Sequence, residues 1–166
     1  MTAIPTAWRG LAAFLIFAGF CPLGQAQIDR AAYRYTTIQE LISANGLSVN
    51  SRERPYQDTT LLAPTQKYRL QLTATGRIRE LSPDTQAALT AWTPTHPGLE
   101  VFLKEYTHEV EVAHNESTLW LLWQRKLVVP FQVERGGGGD IDVYALLAGT
   151  FKGQLLLLAT AFESVP

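Results

Sequence analysis

The sequence contains one cysteine, Cys21, and one methionine, Met1, in 166 residues. A single cysteine forms no disulfide within the chain, and it offers no pair of thiolates for a metal ion or a redox exchange. We therefore expect no cofactor and no metal. The folded part of the chain has to be stabilised by a packed core alone.

An excess of charge of either sign is also missing. The sequence has fourteen Lys and Arg residues and fifteen Asp and Glu residues, which gives a formal net charge of −1. A nucleic-acid partner usually requires a clustered basic face. The basic pairs are instead scattered among acidic residues: Arg52 with Arg54, Arg77 with Arg79, and Arg125 with Lys126. We interpret them as solvated surface and expect no nucleic-acid partner.

The apolar run at the start of the chain, Leu11–Phe20, is about half as long as a membrane-spanning helix, which needs about 20 residues. Arg9 precedes this run, and Pro22 and a stretch of small residues follow it. A basic start, an apolar run of about 7–15 residues and an A-x-A-like end are typical of a secretory signal peptide. We predict that residues 1–26 are a signal peptide, cleaved after Ala26.

Two alternatives to cleavage stay open. An uncleaved membrane anchor would use the same apolar run, and a bacterial lipoprotein signal would end at Cys21. Phe20, immediately before the cysteine, departs from the small residues that such a signal carries. We expect a periplasmic or secreted protein with no stable membrane insertion after cleavage, or alternatively one that is lipid-anchored through Cys21.

The remainder of the chain is predicted to have two parts. Residues 27–65 are predicted to contain a helix within Asp29–Ala44 and then a polar linker. Thr37 and Glu40 have the spacing of a capping box at the start of that helix. Residues 66–166 are predicted to form one α+β domain.

Local patterns place the elements of this domain. Alternation predicts a strand from Lys67 that ends at Gly76, and Ser82 followed by Pro83 is typical of a helix start. A helix is predicted over Leu99–Tyr106. Two hairpins are predicted, one of His108–His114 with Thr118–Gln124, and one of Asp140–Ala148 with Gln154–Glu163 that is joined through Gly149–Gly153. Because of Pro130, Leu127–Val133 is predicted to be an edge strand or an irregular segment.

Five or six short strands with one to three short helices predict a small curled antiparallel sheet or a partly open barrel. Leu155–Leu158 is apolar on both faces, which is typical of a central strand covered on both sides. In strand count and hairpin spacing the pattern is similar to SH3-like and OB-like barrels.

Few residues point to catalysis or metal binding. His108 and His114 lie six residues apart, roughly 20 Å along a strand, so they cannot share an ion whose bonds to nitrogen are about 2 Å long. Glu109 and Glu111 would lie about 7 Å apart, within the range of an inverting glycosidase pair. Because every E-x-E on a solvated strand has this spacing, we interpret both glutamates as surface residues. A metal site would also need His96 brought in from elsewhere in the fold, so we interpret His108 and His114 as surface histidines at the ends of a strand.

Trp120 and Trp123 are the best interaction residues in the sequence, because tryptophan is over-represented at binding hot spots. Their strand is apolar on both faces, which is also consistent with core packing. We predict a non-catalytic exported protein that binds another macromolecule, with a protein partner, such as an envelope accessory or an inhibitor or immunity-type protein. An exported hydrolase with a site assembled from distant residues and a small-ligand carrier are the alternatives.

Overall fold

The computed structural model of the chain describes residues 29–47, 59–63, 65–95, 98–114 and 117–165. The predicted signal peptide, Cys21 and most of the predicted linker lie outside the described residues. The strands are β1 (Arg34–Tyr35), β2 (Thr60–Leu61), β3 (Lys67–Glu80), β4 (Tyr106–His114), β5 (Ser117–Gln124), β6 (Gly139–Phe151) and β7 (Gln154–Ser164). The helices are α1 (Ile38–Ala44), α2 (Pro83–Trp92), α3 (Glu100–Leu103) and α4 (Arg125–Arg135), with short 3₁₀ turns at Arg30–Ala32 and Thr93–Thr95.

Five of the strands close into one barrel in the order β3-β4-β5-β7-β6, and β6 pairs back with β3. Four of the five pairings are antiparallel, and β5 and β7 are parallel. A small barrel-like α+β fold is confirmed, but the barrel is closed and its strand directions are mixed, where a curled antiparallel sheet or a partly open barrel was predicted. The chain crosses from β5 to β6 through α4, and the hairpin then returns β7 beside β5 in the same direction.

Strand β7 is buried on both faces, as the apolar run predicts. Leu155 and Leu157 point into the barrel core, and Leu156 and Leu158 belong to a second apolar cluster outside it. This arrangement follows from the two-residue period of a strand, which sends successive side chains to opposite faces.

Large aromatic side chains occupy the barrel interior. The ring of Trp123 lies 5.3 Å from that of Phe131 and 5.5 Å from that of Phe162, measured between centroids. Ile38 and Leu41 of α1 belong to the same core, so the N-terminal helix packs on the barrel. The capping box predicted at the start of α1 is confirmed.

Helix α4 replaces the edge strand or irregular segment that Pro130 suggested, and it brings the described helices to four, above the one to three predicted. Proline removes one hydrogen bond from a helix interior and destabilises it there. Leu127 and Phe131, four residues apart on one face of α4, are buried in the barrel core. Burying two large apolar side chains stabilises by about 3–6 kcal/mol, which offsets a proline cost of about 3 kcal/mol.

Helices α2 and α3 cover the outer face of β5, β7 and β6. The predicted start of α2 is confirmed, with Ser82 as N-cap and Pro83 in the first turn. Trp92, at the end of α2, is fully buried in the outer apolar cluster, and its Nε1 donates to the carbonyl oxygen of Leu62 at 3.1 Å. The helix predicted over Leu99–Tyr106 is shorter, because Tyr106 already begins β4.

Two glycines lie inside strands rather than ending them. At Gly76, with φ of +85°, β3 bulges and then continues, and an added Cβ would lie 2.6 Å from the carbonyl oxygen of Gly136. At Gly149, within β6, an added Cβ would lie 1.8 Å from the carbonyl oxygen of Thr60 in β2. Both positions need glycine because another backbone segment passes close by, so the predicted strand end at Gly76 and the long joining loop from Gly149 are wrong.

Candidate functional site

The outer face of β3, β4 and β5 carries charged and aromatic side chains in place of the apolar cluster found under α2 and α3. Arg79 lies opposite Glu109 in the β3–β4 register, and Glu111 lies opposite Trp120 in the β4–β5 register. Together with Arg77 these residues form one cluster, which we call the Trp120 surface.

Glu109 links two elements beneath this surface. Its side chain is 1% exposed and accepts a hydrogen bond from Nε of Arg79 at 2.6 Å. The backbone N–H of Ser82 donates to the same carboxylate at 3.3 Å, and the hydroxyl of Thr85 donates to its other oxygen. Glu109 therefore ties the start of α2 to β4 and pairs with a strand arginine.

Glu111 holds the β3 bulge in a similar way. The hydroxyls of Thr75 and Thr118 donate to its two carboxylate oxygens at 2.8 and 3.1 Å. Nη1 of Arg77 lies 3.1 and 3.3 Å from the same two oxygens. The carboxylates of Glu109 and Glu111 are both buried and already hydrogen-bonded to protein donors, so the interpretation of both as surface residues is wrong.

Trp120 lies against the two arginines at the surface. Cζ of Arg79 is 3.7 Å from the centroid of the indole ring, and Cζ of Arg77 is 5.6 Å from it. A guanidinium over an aromatic face contributes about 0.5–1 kcal/mol at an exposed site. The side chains of Arg77 and Arg79 remain 70% and 44% exposed, so this stack is accessible from solvent.

The two tryptophans of the predicted interaction strand differ in their surroundings. Trp123 is 0% exposed and lies in the barrel core, where it contacts aromatic rings. Trp120 is half-buried and points outward. Of this pair, only Trp120 is placed to contact a partner.

The two described histidines, His108 and His114, lie apart from each other. His108 and His114 lie near the two ends of β4, and His96 lies outside the described residues. Across the described part of the chain, no group of three His, Cys, Asp or Glu side chains is arranged to hold a metal ion.

Arg77 and Arg79 were not predicted as site residues from the sequence, because their scattered positions among acidic residues were interpreted as solvated surface. The signal that identifies them is an R-x-R pattern on one strand and an E-x-E pattern on a later one. In an antiparallel pair, residues with a spacing of two share a face, so oppositely charged pairs of this kind align when the strands are neighbours.

Two surface clefts lie away from the Trp120 surface. A polar cleft of about 420 Å³ is lined by Gln71, Thr73 and Asp140 among others. A more apolar groove of about 410 Å³ runs along α2 and α3 and includes Leu89 and Tyr106. Burial raises the pKa of Tyr106 well above its usual range, so its hydroxyl stays neutral and serves as a hydrogen-bonding group only.

Comparison of the sequence with protein-family models and with curated proteins found no match. No helix among the described residues has the length and apolar character that crossing a membrane requires. The assignment of function therefore depends on the geometry of the site and on the sequence pattern.

Proposed function

We propose that this chain is an exported, non-catalytic protein that binds a protein partner through the Trp120 surface. The main support for the proposal is the stack of Trp120 with Arg77 and Arg79 on an outer barrel face, where both guanidinium groups are exposed to solvent. Tryptophan and arginine are among the residues that are enriched at binding hot spots. The buried carboxylates beneath hold both guanidinium groups in place before a partner arrives, which lowers the entropy lost on binding.

We also propose that the barrel is OB-like rather than SH3-like. Its last two strands, β6 and β7, stand in the reverse of their chain order, which supports a Greek-key barrel. In OB-like barrels the second and third strands present the ligand-binding face. Here those strands are β4 and β5, which carry Glu111 and Trp120.

The proposed export to the periplasm or the exterior is supported by the pattern of residues 1–26. The test is an intact-mass measurement of the protein recovered from its compartment. A chain that begins at Gln27 is the expected result. A chain that begins at a lipid-modified Cys21 would contradict cleavage after Ala26 and would show that the protein is anchored to a membrane.

The test of the binding surface compares two aromatic variants in a cross-linked pull-down from the protein's own compartment. Trp120→Ala is expected to lose a specific protein that the wild type retains. Tyr35→Ala is the matched control, because Tyr35 is an exposed aromatic residue on β1, outside the Trp120 surface. Urea unfolding has to show both variants folded. Retention of the same protein by folded Trp120→Ala would contradict the proposal.

A further inference from the structure

Within the described part of the chain, several N–H donors of Arg77 and Arg79 have no hydrogen-bond partner. An arginine side chain carries five N–H donors. Among the described contacts, Arg79 bonds through Nε alone and Arg77 through Nη1 alone. The remaining N–H groups belong to side chains that are 44% and 70% exposed, so they are open to a ligand.

The charge that this surface presents to solvent is positive, although the cluster as a whole is neutral. The carboxylates of Glu109 and Glu111 lie beneath the surface, with 1% and 7% of their side chains exposed. The two guanidinium groups lie above them. An approaching molecule therefore meets two cations fixed against an indole ring before it meets either anion.

We infer that the partner of the Trp120 surface presents side-chain carboxylates, from closely spaced Asp or Glu residues, that the guanidinium groups of Arg77 and Arg79 bind. The inference rests on the proposed function and specifies the chemistry of the partner. Guanidinium and carboxylate form short, charge-assisted hydrogen bonds with matching planar geometry. The indole of Trp120 adds apolar contact area beside them.

Phosphate groups would fit the same donors, so the extent of the positive surface decides between the two anions. A nucleic acid presents a continuous row of phosphates and requires a basic stripe or patch. Within the described part of the chain, the Trp120 surface presents two guanidinium groups above two carboxylates, and the formal net charge of the sequence is −1. A short acidic protein segment matches this limited surface better than a polyanion does.

The test uses two capped peptides as probes, acetyl-GEGEG-amide and its glutamine counterpart acetyl-GQGQG-amide, titrated into the isotope-labelled protein. The glutamate peptide is expected to shift the NMR signals of the Trp120 indole N–H and the arginine side chains, and added salt is expected to weaken the effect. The glutamine peptide should leave these signals in place. Equal shifts with both peptides, or none with either, would overturn the inference.

Variants separate the roles of the two arginines. Arg77→Gln is expected to weaken binding of the glutamate peptide about five- to ten-fold, the loss of one charge-assisted contact. Glu111 keeps its bonds from Thr75 and Thr118 in this variant, so the fold should persist. Arg125→Gln, which removes an exposed cation at the start of α4, is the matched control and should bind as the wild type does. Equal weakening in both variants would show general charge attraction and overturn the inference.

A further arm distinguishes phosphate from carboxylate. A short single-stranded DNA oligonucleotide that shifts the same signals at lower concentration than the glutamate peptide would overturn the inference in favour of a polyanion. If Trp120→Ala loses the partner and the wild type does not respond to the glutamate peptide, the proposed binding surface stands and the inference that the partner presents carboxylates is overturned. A response to the peptide with unchanged partner capture would reject the proposed function and keep the carboxylate site.

Discussion

The barrel has two outer faces that are built in opposite ways. On β5, β7 and β6 the outward side chains are apolar, and α2 and α3 cover them. On β3, β4 and β5 the outward side chains are paired charges around Trp120, and α2 touches this face at its start, where Ser82 and Thr85 hydrogen-bond to Glu109. The first face stabilises the fold by burial, while the second holds an organised, accessible surface. The difference separates the face that stabilises the fold from the face that is accessible to a partner.

The largest expected effect is on the free energy of unfolding, and it compares one tryptophan from each face. Trp92→Ala removes a fully buried ring from the covered face and is expected to lower the free energy of unfolding by about 3–5 kcal/mol. Trp120→Ala removes a half-buried ring and should lower it by about 1 kcal/mol or less. Urea unfolding measures both. Similar losses in the two variants would contradict the division between the faces.

The second effect tests the buried charge beneath the Trp120 surface. Arg79→Gln leaves the carboxylate of Glu109 without its cation and is expected to destabilise by about 2–4 kcal/mol, less than for a fully buried pair because Arg79 is partly solvated. The double variant Arg79→Gln with Glu109→Gln should recover much of this loss in urea unfolding. Losses that simply add in the double variant would show that the pair does not interact.

The third effect concerns Ser82, where the two faces meet. Its hydroxyl accepts from the backbone N–H of Thr85 at the start of α2, and its own N–H donates to Glu109. Ser82→Ala is expected to destabilise by about 1 kcal/mol, the usual cost of losing an N-cap. Ser43→Ala, at an exposed position in α1, should stay within about 0.5 kcal/mol of the wild type. No difference between the two variants would show that the cap contributes nothing.

The smallest effect is a pH dependence away from both faces. A hydrogen bond from the backbone N–H of Thr37, with one from the hydroxyl of Thr36, lowers the pKa of Glu40 below its ordinary value of 4.5. A pKa lowered by folding stabilises the protein above the ordinary value, and this stabilisation is lost as the pH falls through the lowered one. Glu40→Gln should therefore differ most from the wild type at neutral pH, and the difference should shrink below pH 4.5 in urea titrations. A constant difference would contradict this assignment.

Local sequence signals predicted the elements that depend on neighbouring residues. The helix start at Ser82–Pro83, the capping box at Thr37 and the strand over His108–His114 are confirmed, because each depends on hydrogen bonds or periodicity within a few residues. Helix α4 was missed because the burial of Phe131 in the barrel offsets the effect of Pro130, and that burial depends on distant strands.

The candidate site was predicted only in part for a related reason. Trp120 can be recognised in the sequence as a candidate interaction residue. Arg77 and Arg79 can be assigned to the site only once the register of β3 with β4 is known, because that register places them beside Glu111 and Glu109. The bulge at Gly76 shifts that register, and it forms where the backbone of Gly136 passes close to β3. Contacts between segments that are far apart in the sequence therefore decide the composition of the site.

The most direct test of the Trp120 surface is site-specific photo-cross-linking inside the protein's own compartment. A photoreactive amino acid replaces Ala113, which lies on the same face as Glu111 and Trp120 and is exposed, in one variant and the exposed Val101 on α3 in another. We predict a cross-link to one partner protein from position 113 and none from position 101. Equal cross-linking from both positions, or cross-linking from 101 alone, would contradict this prediction.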